Sequence, residues 1–310
     1  MAENKYNLIV IGAGPGGYHA AIRGAQLGMK VCLIEKDDGT GNGGLGGVCL
    51  NWGCIPSKSL LKNAELLNEM KNPDEWGFSF KEFKYDISKA IDRSREVSKK
   101  LTQGIEFLVK KNKIDLVMGE AKLTSSTTVS VGKNSFTTEN IIIATGAKPR
   151  SLPNLDIDKE IIITSREALE LRKKPKSIAI IGASAIGCEF AYFFNAYGVE
   201  ITLFEIMDSI VPKEDSDISK ELQRQYTKQG IVCNTSSNIT NVKKGKNTIT
   251  LEYEIDGKKD SSTFDKVMLG VGIQPNTENL GLSDVGITLN QNGFIEVDEY
   301  MKTNVNGIYA

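Results

Sequence analysis

Apolar and polar segments alternate along this chain, and two apolar runs, at 6–11 and 177–181, feed directly into glycines. Residues 6–11, Tyr-Asn-Leu-Ile-Val-Ile, read as a buried strand. The Gly12-Ala-Gly14-Pro-Gly-Gly17 turn follows, then a helix to about Leu27 that Gly28 stops. Residues 30–35 form a second strand ending at Glu35. The unit recurs: strand 177–181, the turn Gly182-Ala-Ser184-Ala-Ile-Gly187, a helix to about Tyr197, Gly198, and strand 199–205 ending at Glu205. Gly12, Gly17, Gly28 and Glu35 map onto Gly182, Gly187, Gly198 and Glu205 with one constant offset, and each has a mechanical role. Between the units the pattern predicts helices over roughly 55–70 and 86–111 and short strands within 114–143, closed by Ala144–Arg150. After the second unit it predicts a helix over 214–229 and a strand meander over 231–271. Residues 39–44 read as a flexible glycine-rich insertion. The expected fold class is α/β, with two Rossmann-like dinucleotide-binding domains.

The turn explains its own residues. Gly12 permits the tight exit from the strand, Gly14 lets a pyrophosphate approach the backbone, and Gly17 lets helix and strand pack closely. Phosphates rest on the helix N-terminus, where free N–H groups and the dipole favour anions, and Glu35 accepts from an adenosine ribose. A merely tight turn would explain the glycines but leave Glu35 idle. In the second unit Ser184 stands where the middle glycine belongs, so its Cβ and hydroxyl occupy the place where backbone would approach the pyrophosphate; a small residue there can still fit, and its hydroxyl can donate to phosphate. Glu205 suits a free 2′-hydroxyl and repels a 2′-phosphate, and the residues after it contain no arginine, so NAD is expected there over NADP.

Composition narrows the class. The 310 residues give room for about two domains, 40% of them are apolar and 25% charged, and the formal net charge is −1. Neither a basic nucleic-acid face nor a stretch approaching the ~20 apolar residues of a membrane helix is present. The N-terminus shows no leader pattern, and five cysteines argue against a secreted disulfide framework, so a cytoplasmic protein is expected. Cys32, Cys188 and Cys233 read as small buried core residues, and His19, the sole histidine, as a helix residue packing locally.

Cys49 and Cys54 are different. They sit in Gly46-Gly-Val-Cys-Leu-Asn-Trp-Gly-Cys-Ile-Pro-Ser-Lys58 with four residues between them, just downstream of the first fingerprint. A pair of buried thiols and half of a zinc site are the alternatives; a zinc site needs further ligands at short spacing, and the sequence has no second Cys/His cluster. Cys54 precedes a helix start, where the dipole favours thiolate, which suits an electron donor and leaves Cys49 as the more exposed thiol, exchanging with a substrate disulfide.

With this segment the chain resembles the FAD-dependent pyridine nucleotide–disulfide oxidoreductases, and Leu50-Asn-Trp-Gly-Cys-Ile-Pro-Ser-Lys-Ser-Leu-Leu is most similar to their dihydrolipoamide dehydrogenase branch. Glutathione and mercuric reductases share the core of the motif but usually read Val-Pro after the second cysteine. The resemblance covers the whole chain and implies FAD on Gly12, Gly14, Gly17 and Glu35, with Gly119 and Ala121 near the adenine and Thr145 and Gly146 at the crossing between domains. It implies Lys58 near the flavin ring, paired with Glu189, and NAD on Gly182, Gly187, Glu205, Val242 and Gly272. The implied domains are 1–148 for FAD, 149–272 for NAD, and 273–310 returning to the FAD domain. The implied reaction carries electrons from protein-bound dihydrolipoyl groups through a Cys49–Cys54 disulfide and FAD to NAD⁺. The implied partner is a lipoyl-bearing carrier of a 2-oxoacid dehydrogenase or glycine cleavage complex, with a homodimer implied for the full-length parent; neither nucleic acid, membrane nor metal is expected. An NADPH-dependent disulfide or mercuric reductase and a non-catalytic nucleotide-binding module are the alternatives.

Three departures stand out: Ser184, the missing Arg within Gly272-Ile-Gln-Pro-Asn276, and the end of the chain at Ala310. In the family the chain continues into a Gly-Asp that holds the flavin and a C-terminal interface domain that supplies a His–Glu acid–base pair. A chain of this length is therefore expected to lack the dimerisation domain and turnover.

Overall fold

A computed structural model describes residues 4–36, 44–153 and 155–310. The glycine-rich stretch expected at 39–44 lies outside the described residues except for Gly44, as do Met1–Glu3. Packing divides the chain into two compact units: Met1–Cys54 with Glu96–Lys148 and Gln274–Ala310, and Ile55–Arg95 with Pro149–Ile273.

The first unit opens with β1 (Lys5–Ile11), α1 (Pro15–Gln26) and β2 (Val31–Glu35). The crossover from β2 to β3 (Asp115–Met118) carries α2 (Gly47–Trp52), the start of α3 (Cys54–Lys71) and the end of α4 (Ile87–Lys111). The meander β4 (Ala121–Ser125), β5 (Thr128–Val131) and β6 (Asn134–Ile143) follows. Its sheet runs β3-β2-β1-β6-β5-β4. The strands from β3 to β6 are parallel and the meander pairs are antiparallel. A last short strand at Ile308–Tyr309 returns parallel to β6, with Ile308 opposite Ile141. β1 and β2 are continuous apolar runs because both faces of a parallel sheet are covered. Ile9, Cys32, Leu123, Val129 and Ile141 are fully buried in its core.

The second unit repeats the plan. After β7 (Ala147–Pro149) come β8 (Ile162–Thr164), an edge strand of the unit's parallel sheet, and the one-turn α5 (Ser165–Ala168), capped by reciprocal Thr164 and Glu167 bonds. β9 (Ser177–Ile181), α6 (Ala185–Ala196), β10 (Glu200–Phe204), α7 (Ser216–Lys228) and β11 (Val232–Asn234) follow. The antiparallel sheet β12 (Ser237–Lys244), β13 (Ile249–Ile255) and β14 (Lys258–Phe264) precedes β15 (Lys266–Leu269) and β16 (Ile273–Pro275). The parallel sheet runs β11-β10-β9-β15-β8. Phe190, Phe193 and Phe194 of α6 pack into one core, and Phe204, Tyr253 and Phe264 join the two sheets in another.

In each unit, strand order reverses beside the first strand: β1 lies between β2 and β6, and β9 between β10 and β15. A sheet of this kind binds ligands in the crevice outside the carboxyl ends of those strands. The first unit differs in what it inserts there, because its β2–β3 crossover carries the cysteine helix and the second unit's β10–β11 crossover is α7 alone.

Candidate functional site

Both glycine-rich turns close in the same way. Gly12 has φ +100° and Gly182 φ +96°, left-handed values that favour glycine. Their N–H groups donate to Ile34 O and Phe204 O, each at 2.7 Å. A Cβ on Gly12 would lie 2.3 Å from Ala144 O, and one on Gly182 2.5 Å from Gly270 O, so each turn touches the neighbouring strand's exit. Gly17 and Gly187 meet the carbonyl oxygens of Gly12 and Gly182 so closely that no side chain fits. The middle position is different. Gly14 (φ −70°) and Ser184 (φ −80°) are both the N-cap residues of their helices, in extended conformation that any residue adopts. Ser184 therefore costs the turn nothing, and its exposed hydroxyl makes no capping bond.

The two acids also match. Glu35 accepts from the Ala13 N–H with one oxygen and from the Lys36 N–H at 2.8 Å with the other. Glu205 accepts from Ala183 N–H at 2.7 Å and from Met207 N–H at 3.0 Å. Each carboxylate braces the turn it faces, which places it beside the helix N-terminus where an adenosine ribose would lie. Glu35 is half-buried and Glu205 is buried.

The cysteine helix is tied to the first turn. Gly46 N–H donates to Ala13 O at 2.8 Å, and a Cβ on Gly47 would lie 2.6 Å from Gly14 Cα. Gly46 and Gly47 have φ +90° and +59°, which lets the chain reverse against the turn. Burial raises the Tyr18 hydroxyl of α1 above its ordinary range. Cys49 on α2 and Cys54, the first residue of α3, form a disulfide with their Cα atoms 4.7 Å apart. Cys54 is the exposed member and Cys49 is half-buried, the reverse of the expectation. The reason is local: Cys49 lies within a helix packed on the turn, whereas Cys54 heads a new helix after Gly53.

Lys58 follows on α3 and its Nζ lies 2.5 Å from Glu189 Oε1 of α6, both within the second unit. Gly119 (φ +146°) donates its N–H to Glu35 O at 2.8 Å, which brings it to the acid's strand end, and Ala121 is buried at the start of β4. Thr145 Oγ1 donates to Asn276 O at 2.8 Å, and the Asn276 side chain donates to Thr145 O at 3.0 Å. Gly146 accepts from Asn276 N–H at 2.9 Å. Gly272 (φ +101°) accepts from Arg150 N–H at 3.0 Å. Val242 is half-buried in β12 opposite Leu251 and packs against the core that holds Ile181 and Phe204.

Two residues escaped the sequence reading. Asn51, buried between the cysteines, donates to Leu45 O at 2.9 Å and to Gly47 O at 3.1 Å and accepts from Thr102 Oγ1 at 3.1 Å. Asn276 holds the crossing strands. A polar residue inside an otherwise apolar helix turn is the signal that marks Asn51. The other thiols sit apart: burial raises Cys32 and Cys188 to about 12 and Cys233, half-buried where a buried residue was expected, to about 11. His19 is exposed, its Nδ1 2.7 Å from Pro15 O and its ring 4.3 Å from that of Tyr18. Among the described residues no group of three or more His, Cys, Asp or Glu could hold a metal ion, and no helix is long and apolar enough to cross a membrane.

Residues 6–310 match the pattern of the family described as "Pyridine nucleotide-disulphide oxidoreductase". A dihydrolipoyl dehydrogenase of Rhizobium etli is 43% identical over 331 residues, covering 100% of this chain and 67% of that protein. One from Chlorobaculum parvum is 41% identical, covering 99% and 65%. The chain thus spans about two thirds of the length of these relatives. Among solved structures, the HOCl-induced flavoprotein disulfide reductase RclA from Escherichia coli superposes with a TM-score of 0.84 at 26% identity, covering 98% of this chain and 65% of that one. A chain matched end to end in this way belongs to the pyridine nucleotide-disulphide oxidoreductase family.

Proposed function

We propose that this chain carries the nucleotide-binding and dithiol parts of a dihydrolipoyl dehydrogenase, with FAD on the first unit and NAD⁺ on the second. The observation that carries the reading is the junction of Gly46 with Ala13 and of Gly47 with Gly14, which sets the disulfide against a dinucleotide turn. The residues suit both nucleotides: bare backbone at Gly14 and Gly16, an uncapped helix N-terminus at Ser184, and an acid beside each turn.

The chain's own part is sulfur chemistry. A dihydrolipoyl thiolate attacks Cys49, the Cys49–Cys54 bond breaks, and Cys54 leaves as thiolate. The second lipoyl thiol then displaces Cys49, which leaves a lipoyl disulfide and the chain's dithiol. Cys54 is the leaving sulfur because it heads the 18-residue α3, whose first-turn N–H groups have no intrahelical partner. Its exposure leaves it open to a cofactor ring. Lys58, four residues on, is steadied by Glu189. Bound FAD supplies the two-electron relay to the nicotinamide. Glu205 repels a 2′-phosphate and so selects NAD⁺. The carrier would be a lipoyl-bearing protein of a 2-oxoacid dehydrogenase or glycine cleavage complex, the working form a homodimer, and the compartment the cytoplasm.

Thiol trapping after dihydrolipoamide treatment tests the first step: Cys49 and Cys54 become alkylated, and Cys49→Ser prevents lipoyl disulfide formation. A disulfide that dihydrolipoamide leaves intact, or tighter binding of NADP⁺ than NAD⁺, overturns the reading.

A further inference from the structure

We infer that Asn51 and Thr102 form a positioning clamp that holds Cys49 and Cys54 together when their disulfide is open; this rests on the redox reading above. Asn51 lies between the cysteines on α2, 3% exposed, and Thr102 on α4 is 6% exposed. Both side-chain protons of Asn51 are engaged, on Leu45 O and Gly47 O, and its oxygen receives the Thr102 hydroxyl. The amide thus ties the cysteine helix to the turn before it and to a helix 51 residues away, all within the first unit.

The two redox states need this clamp differently. In the disulfide the covalent bond already fixes the Cα atoms 4.7 Å apart. In the dithiol that constraint is gone, and Gly53 between the cysteines offers little stiffness of its own. Reclosing the bond then costs the entropy of bringing the two ends back together. A buried, fully engaged amide keeps the reduced segment in the closing geometry, so that cost is met in advance. The clamp therefore favours the disulfide. Freeing the segment gives the dithiol more conformations and moves the equilibrium toward it.

The exchange that reads this is balanced: the Cys49–Cys54 bond and two thiols of dithiothreitol go to two chain thiols and the cyclic dithiothreitol disulfide, a transfer of two electrons and two protons. The 310-residue chain, without added flavin, is equilibrated across dithiothreitol ratios and the alkylated fraction at Cys49 and Cys54 is read by peptide mass spectrometry. Thr102→Val keeps the shape and removes the hydroxyl; it is expected to move the midpoint about tenfold toward dithiol, which is about 30 mV upward. Thr102→Ala should move it the same way and serves if the valine variant does not fold. Thr102→Ser restores the hydroxyl and should titrate with the parent. A folded Thr102→Val or Thr102→Ala on the parent curve, or Thr102→Ser displaced as far as valine, overturns the clamp. A parent whose disulfide does not titrate overturns the redox reading itself, and the clamp with it.

Discussion

A methyl group added at Gly17 would lie 1.7 Å from Gly12 O, a backbone atom fixed by the strand exit. One added at Gly16, a residue earlier on α1, would find nothing nearer than Ala144 Cβ at 3.9 Å. The fingerprint glycines are therefore not equivalent. Gly17→Ala is expected to destabilise the nucleotide-free chain by about 3 kcal/mol, since overpacking against backbone cannot relax. Gly16→Ala should be neutral or stabilising by about 0.5 kcal/mol, because helix propensity rises. Urea midpoints of the two variants check this, and equal losses would show that the turn yields. At this scale the turn geometry was largely legible: Gly12, Gly17, Glu35 and their counterparts are specified by local backbone geometry, which spacing reveals. The relative exposure of Cys49 and Cys54 was not, because it depends on a helix break at Gly53 and on packing of α2 against a turn more than thirty residues earlier.

Between elements, Asp158 does work that no motif announces. Three consecutive N–H groups, of Glu160, Ile161 and Ile162, donate to its Oδ1 at 2.7, 2.7 and 2.9 Å, and Lys244 of β12 pairs with Oδ2. Partial burial works against its charge, but Lys244 and these N–H groups outweigh it and hold the carboxyl at about 2, below the ordinary 3.8. A depressed carboxyl stabilises the fold above its unfolded value and loses that contribution as pH falls through the folded one. The shift corresponds to about 2 kcal/mol at neutral pH. The deficit of Asp158→Asn against the parent in urea should therefore narrow as pH falls from about 5 to about 2. A deficit unchanged with pH would assign the effect to shape and not charge. Helices such as 87–111 and the meander after 231 were readable as periodicity. Pairings such as Asp158 with Lys244, or the return of Ile308–Tyr309 to β6, join residues far apart in the chain and leave no local trace. In the aromatic run Phe78–Phe80–Phe83–Tyr85, exposed between α3 and α4, Phe80 stacks on both Phe78 and Phe83 and Phe83 tilts against Tyr85, contacts that the spacing does not disclose.

Across the whole molecule, one nucleotide scaffold occurs twice with its turn geometry preserved to within a few degrees at Gly12 and Gly182. What separates the copies is the crossover after the second strand. The first carries the disulfide at the mouth of its own turn; the second carries α7 and a turn whose middle residue bears a hydroxyl. Two sites built on separate units should answer to different ligands. A nucleotide that binds only the native state adds about 2.7 kcal/mol of protection at a hundredfold excess over its Kd, and the protection is greatest where it touches. FAD is therefore expected to slow amide exchange at 12–17 and 46–54, and NAD⁺ at 182–187 and near Glu205, with NADP⁺ doing less there. Ser184→Gly should leave the NAD⁺ pattern in place, since that position needs no glycine backbone. Hydrogen exchange read by mass spectrometry separates the two sets of peptides. A single nucleotide that protects both turns equally would mean that the inserted cysteine helix does not distinguish them, and that the division of labour lies in neither turn.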